Sequence, residues 1–74
     1  PNPASDMIKI ECPELAHNPF VIEICDLTGK TLFENSFLKS SETQTIDVSH
    51  LNHGIYFCTI IIGDSIATKK LIIN

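Results

Sequence analysis

The feature that most constrains this sequence is a pair of strand-like runs in its last quarter, IYFCTIIIGDSIATKKLII (residues 55–73). Residues 55–62 are rich in β-branched and aromatic side chains, and a second such run follows Gly63 and Asp64. A two-residue Gly-Asp loop between two such runs is typical of a type II′ hairpin, in which glycine supplies a positive φ. The sequence therefore predicts a long antiparallel hairpin that needs further strands to cover its apolar face.

Four further segments read as strands. They are residues 7–12, 20–26, 31–37 and 43–48, and several alternate apolar with polar residues, as half-buried strands do. The turn DLTGK (26–30) predicts a type I turn with a bulge, with Asp26 at its first position and Gly29 at positive φ. Residues 13–19, 38–42 and 49–54 read as loops, and no segment has helical periodicity or a helix cap. Turn signals every 8–12 residues favour an all-β sandwich or small barrel of six or seven short strands.

The core of such a domain must be built mainly from aliphatic side chains. The chain has 74 residues, is 43% hydrophobic, and contains four phenylalanines, Tyr56 and no tryptophan. That composition predicts one small folded domain rather than a disordered segment. The residues expected to form its inner faces are Ile8, Ile10, Ile22, Ile24, Leu32, Ile46, Val48, Tyr56, Cys58, Ile60, Leu71 and Ile73.

Charge and hydropathy exclude several classes of partner. The formal net charge is −4 and the five lysines are scattered, which argues against a nucleic-acid or anionic-membrane surface. No apolar run reaches the roughly 18 residues that a transmembrane helix needs. The chain has no signal peptide, does not begin with methionine, and opens on PNPAS. We therefore expect residues 1–6 to be the end of a linker and residues 1–74 to be the last domain of a longer protein.

The residues that could carry chemistry do not form a recognisable catalytic or metal site. Cys12, Cys25 and Cys58 fit neither a zinc ribbon nor a CxxC motif, so we expect small hydrophobes, with a structural disulfide or a reactive thiol as the alternatives. His50 and His53 follow Asp47 and could suggest a metal site, but we expect these residues to form a solvated loop. Ser-His at 49–50 lacks the glycines of a nucleophile elbow. We predict no enzyme activity, no metal and no cofactor.

Two features of the final hairpin have specific interpretations. Tyr56 is expected to lie at the edge of the core with its hydroxyl bonded to a loop backbone, as in a tyrosine corner, while Phe57 points to the opposite face. Lys69 and Lys70 form either a solvated pair that protects an edge strand from aggregation or a feature that a partner reads. The sequence leaves both interpretations of the lysines open.

The ordered set of motifs resembles a known family over essentially the whole chain. PNPAS opens the domain, IEICDLTGK forms a strand and its turn, TIDVSHLNHGIYFCTI joins two strands, and GDSIATKKLIIN closes it. In order and spacing they are similar to the type A C-terminal sorting domain of the type IX (Por) secretion system of Bacteroidota. The resemblance implies an immunoglobulin-like antiparallel β-sandwich at the end of an exported protein.

The resemblance also implies a function and partners. Such a protein enters the periplasm, its C-terminal domain is recognised by the outer-membrane translocon, and a sortase-like cysteine protease removes that domain in many cases. The cargo, N-terminal in the same chain, is then secreted or held at the cell surface. The cleavage point of the family lies before the domain, so we expect these 74 residues not to contain it.

Position by position, the resemblance assigns motif roles to several residues. Cys25 and Cys58 depart from the pattern, because the family usually has Tyr and Val there. The matching positions are Pro1, Asn2 and Pro3 in the opening, Asp26 and Gly29 in the first turn, Leu51, Gly54 and Tyr56 in the central element, and Lys69, Lys70, Leu71, Ile72 and Ile73 in the terminal signal region.

A second function remains open at this point. An immunoglobulin-like accessory module of a secreted enzyme or adhesin, for instance one that binds carbohydrate, would share the fold. A line of exposed aromatic side chains would favour it, and this sequence has few aromatics. The C-terminal position and the order of the motifs favour the sorting domain.

Overall fold

The computed structural model describes residues 6–38 and 41–74, and its described part is almost entirely β-structure. The strands are β1 (Met7–Glu11), β2 (Phe20–Asp26), β3 (Thr31–Phe37), β4 (Thr43–Asp47), β5 (Gly54–Ile62) and β6 (Ser65–Ile73). Each lies within a residue or so of a segment that the alternation of side chains predicts. Within the described residues, six strands are therefore present, and the all-β prediction is confirmed.

The strands form two antiparallel sheets that face each other across one core. The larger sheet has the order β3-β2-β5-β6, and the smaller one pairs β1 with β4. Cross-strand register places Ile24 beside Cys58, and Tyr56 beside Leu71. Ile8 and Ile46 pair across the smaller sheet and cover the larger one. The molecule is thus a small β-sandwich, as predicted.

Alternation along the strands fills the space between the sheets. Because side chains along a strand point to opposite faces, every second residue of a strand in the larger sheet faces the smaller sheet, and the central ones are buried. The buried apolar residues are Ile8, Leu15, Phe20, Ile22, Ile24, Ile46, Val48, Tyr56, Leu71 and Ile73. Burial of each such side chain contributes about 1.5–3 kcal/mol of transfer free energy, so this cluster is the main source of stability.

Four residues predicted to be core are only half-buried. Ile10, Leu32, Cys58 and Ile60 contact the core from its periphery. Cys58 and Ile60 lie on the inner face of the long hairpin, which extends beyond the cover of the five-residue strand β1. Leu32 is opposed by no residue of β2, because the register shifts between Ile24 and Cys25. Alternation predicts which face a residue is on and does not predict how far the opposite sheet extends.

The segment between β1 and β2 is not a simple loop. Pro13–Ala16 forms a 3-10 helix, and its Leu15 is fully buried at 0% exposure. The Leu15 N–H donates to the Cys12 carbonyl at 3.1 Å, and His17 N–H to the Glu14 carbonyl at 3.2 Å. A single 3-10 turn is too short to show a period in the sequence. The loop prediction for residues 13–19 therefore missed a core residue.

Both predicted glycine turns are confirmed. The Gly29 N–H donates to the Asp26 carbonyl at 3.0 Å, Asp26 N–H donates to the Lys30 carbonyl at 3.0 Å, and Gly29 has φ +89°. Gly63 has φ +58°, whereas Asp64 keeps a negative φ, so positive φ is confined to the first loop position, as in a type II′ turn.

Candidate functional site

Strand β6 lies at one edge of the larger sheet and has two distinct halves. From Ser65 to Lys70 every side chain is exposed, whereas Leu71 and Ile73 are buried in the core. Its inner partner β5 pairs with it over the whole length, from Gly54 beside Ile73 to Ile62 beside Ser65. The terminal signal region, Lys69–Ile73, therefore spans the boundary between the exposed half and the core half of this edge strand.

A groove lies between β6 and strand β1 of the smaller sheet. Its volume is about 380 Å³, and its lining includes Ile10, Cys58, Ile60, Ala67 and Lys69. Lys69 shares its face with Leu71 and Ile73, because residues two apart on a strand point the same way. The groove thus combines an apolar floor with an ammonium group at its rim.

The charges around the groove are solvated. Lys9 Nζ lies 3.5 Å from Glu11 Oε2, with both side chains more than half exposed. Exposed ion pairs of this kind contribute little to stability. Lys69 and Lys70 are exposed on opposite faces of β6. The prediction that these two lysines lie on an edge strand is confirmed, and their reading by a partner remains a proposal.

Leu51, Gly54 and Tyr56 act together as a structural corner. The Tyr56 hydroxyl donates to the Asn52 carbonyl at 2.7 Å, and its ring is only 8% exposed. Leu51 is half-buried, and its N–H donates to the Val48 carbonyl at 3.0 Å. The predicted tyrosine corner is confirmed. These motif residues hold the connection between β4 and β5 and leave no group free for chemistry.

Asp26 likewise has a structural role. Its carboxylate accepts hydrogen bonds from the Thr28 hydroxyl at 2.6 Å, the Thr28 N–H at 2.9 Å and the Lys30 N–H at 3.1 Å. The Thr28 hydroxyl, followed by these backbone donors and the Lys30 charge, lowers the pKa of Asp26. A carboxylate that stays ionised and is held by its own turn is not a general acid.

The three cysteines are all described and are free thiols. Cys12 Sγ donates to Glu14 Oε1 at 2.9 Å, and this hydrogen bond raises the pKa of the Cys12 thiol. Burial raises the pKa of Cys58. Since the thiolate is the reactive form, neither environment activates a nucleophile. The structural-disulfide alternative is wrong, and Cys12 is a hydrogen-bond donor rather than a plain hydrophobe.

The cluster around Asp47 is a capped turn. The Asp47 carboxylate accepts from the Ser49 hydroxyl at 2.7 Å and the Ser49 N–H at 2.9 Å. The Ser49 bonds, and secondarily the charge of His50, lower the pKa of Asp47. Among the described residues, no group of three or more His, Cys, Asp or Glu side chains is placed to hold a metal ion.

Phe57 is half-buried and faces away from Tyr56, as predicted. Phe20 and Phe37 stack on each other with ring centroids 4.8 Å apart, and Phe20 is buried. The aromatic residues therefore do not form an exposed row of the kind that binds sugars.

Two further predictions concern membrane spans and the opening motif. In the described part of the chain, no helix has the length and hydropathy required to span a bilayer. Pro1, Asn2 and Pro3 of the opening motif lie outside the described residues.

The chain is a small β-sandwich, and its described motif residues in the turns and the corner have structural roles. Its candidate site is the exposed edge strand β6. These features are typical of a domain that is recognised by a partner. The family model described as "Secretion system C-terminal sorting domain" matches residues 1–74, so the chain belongs to that family. No curated protein and no solved structure matched the chain.

Membership of this family assigns the function in general terms. The domain is a C-terminal sorting signal for type IX secretion, and it directs export to the medium or the cell surface. A sorting domain is not a catalytic family, and an accessory carbohydrate-binding module is not favoured. The fold presents the signal, and the secretion system acts on it.

Proposed function

We propose that the chain is a type A sorting domain of a Bacteroidota protein and that the outer-membrane translocon reads it at the edge of β6, through Lys69, Lys70, Leu71, Ile72 and Ile73. The cargo precedes residue 1, crosses the periplasm, and is freed from the domain by a sortase-like protease that cuts upstream of it. The order of the PNP, DLTG, L-x-x-G-x-Y and terminal KKLII motifs supports the subtype.

The observation that carries this proposal is the change of environment along β6. Lys69 and Lys70 are exposed immediately before Leu71 and Ile73, which are 5% and 2% exposed. The core half holds the strand in a fixed register against β5, and the exposed half presents side chains from that fixed position. A partner that adds a strand beside such an edge gains backbone hydrogen bonds, and side-chain contacts supply specificity.

The direct test is a reporter fusion. Residues 1–74, with the native upstream linker, are fused to the C-terminus of a periplasm-targeted fluorescent protein in Bacteroidota hosts with and without a working type IX translocon. We expect the reporter at the surface or in the medium only when the translocon works. A folded reporter that stays in the periplasm of both hosts would contradict the proposal.

A charge reversal tests the β6 site itself. Lys69→Glu changes an exposed side chain on the signal strand, and Lys30→Glu makes the same charge change in the exposed turn between β2 and β3. We expect export to fall severalfold for Lys69→Glu and to stay normal for Lys30→Glu, with both variants folded by circular dichroism. Lys30→Glu should lower the melting temperature slightly, because it removes a positive charge that acts on Asp26. Equal export of the two variants would mean that the translocon does not recognise Lys69.

Deletion of Lys69–Asn74 is less informative when export fails. It removes the core residues Leu71 and Ile73 together with the lysines, so a loss of export would follow from unfolding alone. Normal export of the deletion variant would still contradict the proposal, because the whole signal region would then be dispensable.

A further inference from the structure

The two sheets of the sandwich differ in width. Within the described residues, the larger sheet has four strands and the smaller sheet has only β1 and β4. The groove between β1 and β6 is lined by residues of β1, β5 and β6 and by no described residue of β4. It therefore lies on the side of β1 that faces away from β4, where β1 has no strand partner among the described residues. The groove occupies the position that a third strand of the smaller sheet would take.

The floor of the groove is apolar and incompletely covered. Cross-strand register pairs Ile60 with Ala67 and Cys58 with Lys69 on the inner face of the β5–β6 hairpin. Ile10, Cys58 and Ile60 are half-buried, and Ala67 is exposed. An extended segment that adds to a strand edge gains backbone hydrogen bonds from the edge and specificity from the surfaces that receive its alternate side chains. The edge of β1 and the floor below it supply both parts.

The charge around the groove has the opposite sign to that of the whole chain. Three of the five lysines, Lys9, Lys69 and Lys70, line the groove, but only Glu11 of the nine Asp and Glu residues does. Lys9 is paired with Glu11 at 3.5 Å, and Lys69 takes part in no ion pair with a described residue. The groove is thus locally positive in a chain of net charge −4. Because complementary charge steers encounter and suppresses wrong partners, it selects an acidic occupant.

We propose that an extended segment of a partner polypeptide, in which apolar and acidic residues alternate, adds to the edge of β1 and fills this groove. The added strand makes the smaller sheet three-stranded. Its apolar side chains cover Ile60 and Ala67, and its carboxylates lie between the ammonium groups of Lys9 and Lys69. This site goes beyond the proposed sorting signal, because it uses the edge of β1 and the inner face of β6.

NMR titration of the purified 74-residue chain with synthetic peptides tests the proposal. Two capped peptides of about seven residues, a usual strand length, have valine alternating with glutamate in one and with lysine in the other. We expect the acidic peptide to bind with a dissociation constant below about 1 mM and at least about tenfold more tightly than the basic one. The amide signals of Ile10, Ile60 and Ala67 should move, and those of β3 should not. Absence of binding, equal binding of both peptides, or signal changes confined to β3 would overturn the proposal.

Other occupants of the groove are separated in the same titration. Decanoate has an apolar tail and a carboxylate but no backbone amides, so it cannot pair with β1. Binding of decanoate as tightly as the acidic peptide would assign the groove to an amphiphile. Signal changes at the groove that depend on protein concentration alone, without peptide, would assign it to a second copy. Either result would overturn the added strand.

Charge reversal at the rim tests the electrostatic part of the proposal. Lys69→Glu should weaken binding of the acidic peptide about tenfold and strengthen binding of the basic peptide. Lys30→Glu is the matched control, because Lys30 is exposed in the turn between β2 and β3, and it should leave the preference unchanged. An unchanged preference in a folded Lys69→Glu variant would overturn the assigned contact.

Filling the groove tests its location. Ala67→Phe enlarges an exposed side chain on the floor, and Ile66→Phe changes the adjacent exposed residue on the opposite face of β6. We expect about tenfold weaker peptide binding for Ala67→Phe and no change for Ile66→Phe, with both variants folded by circular dichroism. Equal binding by the two variants would overturn the site. Peptide binding is measured on the purified chain and export in cells, so failure of one leaves the other standing.

Discussion

At the scale of single residues, Tyr56 connects the β4–β5 loop to the core. Its ring packs among buried side chains, and its hydroxyl reaches the Asn52 carbonyl at 2.7 Å. Replacement by Phe keeps the ring and removes the hydrogen bond. We expect Tyr56→Phe to lower the free energy of unfolding by about 1 kcal/mol, the usual net contribution of such a bond. Urea denaturation should show a lower midpoint with an unchanged slope. An unchanged midpoint would mean that the Tyr56 hydrogen bond orients the loop without contributing to the free energy of unfolding.

Asp26 and Asp47 predict a specific acid response. Hydrogen bonds from Thr28 and Ser49 lower the pKa values of these carboxyls in the folded state. A lowered folded pKa adds stability above the unfolded pKa, and this stability is lost as pH falls through the folded value. We therefore expect stability to decline as pH falls below about 4, the ordinary pKa of an aspartate.

The double variant Asp26→Asn/Asp47→Asn isolates that response. It should be less stable than the natural chain at pH 7 and should lose less stability on acidification. Thermal melts between pH 7 and pH 2.5 measure both effects. Parallel curves for the two proteins would assign the acid response to other carboxyls.

At the scale of elements, the β5–β6 hairpin depends on one backbone conformation. Gly63 has φ +58°, and a Cβ added there would have no neighbour within 4 Å. The penalty for alanine is therefore purely conformational, about 1–2 kcal/mol for an L-residue in the left-handed region. We expect Gly63→Ala to lower stability by about that amount and Gly63→Asn by less, because asparagine tolerates this region. Urea midpoints of the two variants, compared with the natural chain, measure the difference. Equal losses of stability in the two variants would mean that a contact of the loop, rather than the φ of residue 63, causes the penalty.

Strand bounds could be predicted because each strand has a local signature. Alternation marks β1 and β2, and the DLTG and GD turns mark the ends of β2, β3, β5 and β6. Leu15 could not be predicted, because a single 3-10 turn between two prolines has no period and its burial depends on the end of the sandwich. Local rules identify strands, whereas burial of a loop residue depends on what the rest of the chain places above it.

At the scale of the whole molecule, the pairing of strands was beyond the sequence pattern. Two hairpins, β2–β3 and β5–β6, follow from their turns, but the β1–β4 and β2–β5 pairs join segments far apart in the chain. Pattern alone permits several such pairings. The candidate site shows the same limit, because the lysine pair is evident in the sequence, whereas the groove between β1 and β6 depends on how the two sheets are placed against each other.

The division of β6 into an exposed half and a core half makes the signal conditional on folding. Leu71 and Ile73 belong to the core that the two sheets share, so they are buried only in the assembled sandwich. On the proposed function, Lys69 and Lys70 then stand in a defined register only on a finished sandwich. A translocon that reads this edge would pass over a tail that had not yet folded, so the address would also serve as a proofreading step for the domain that carries it.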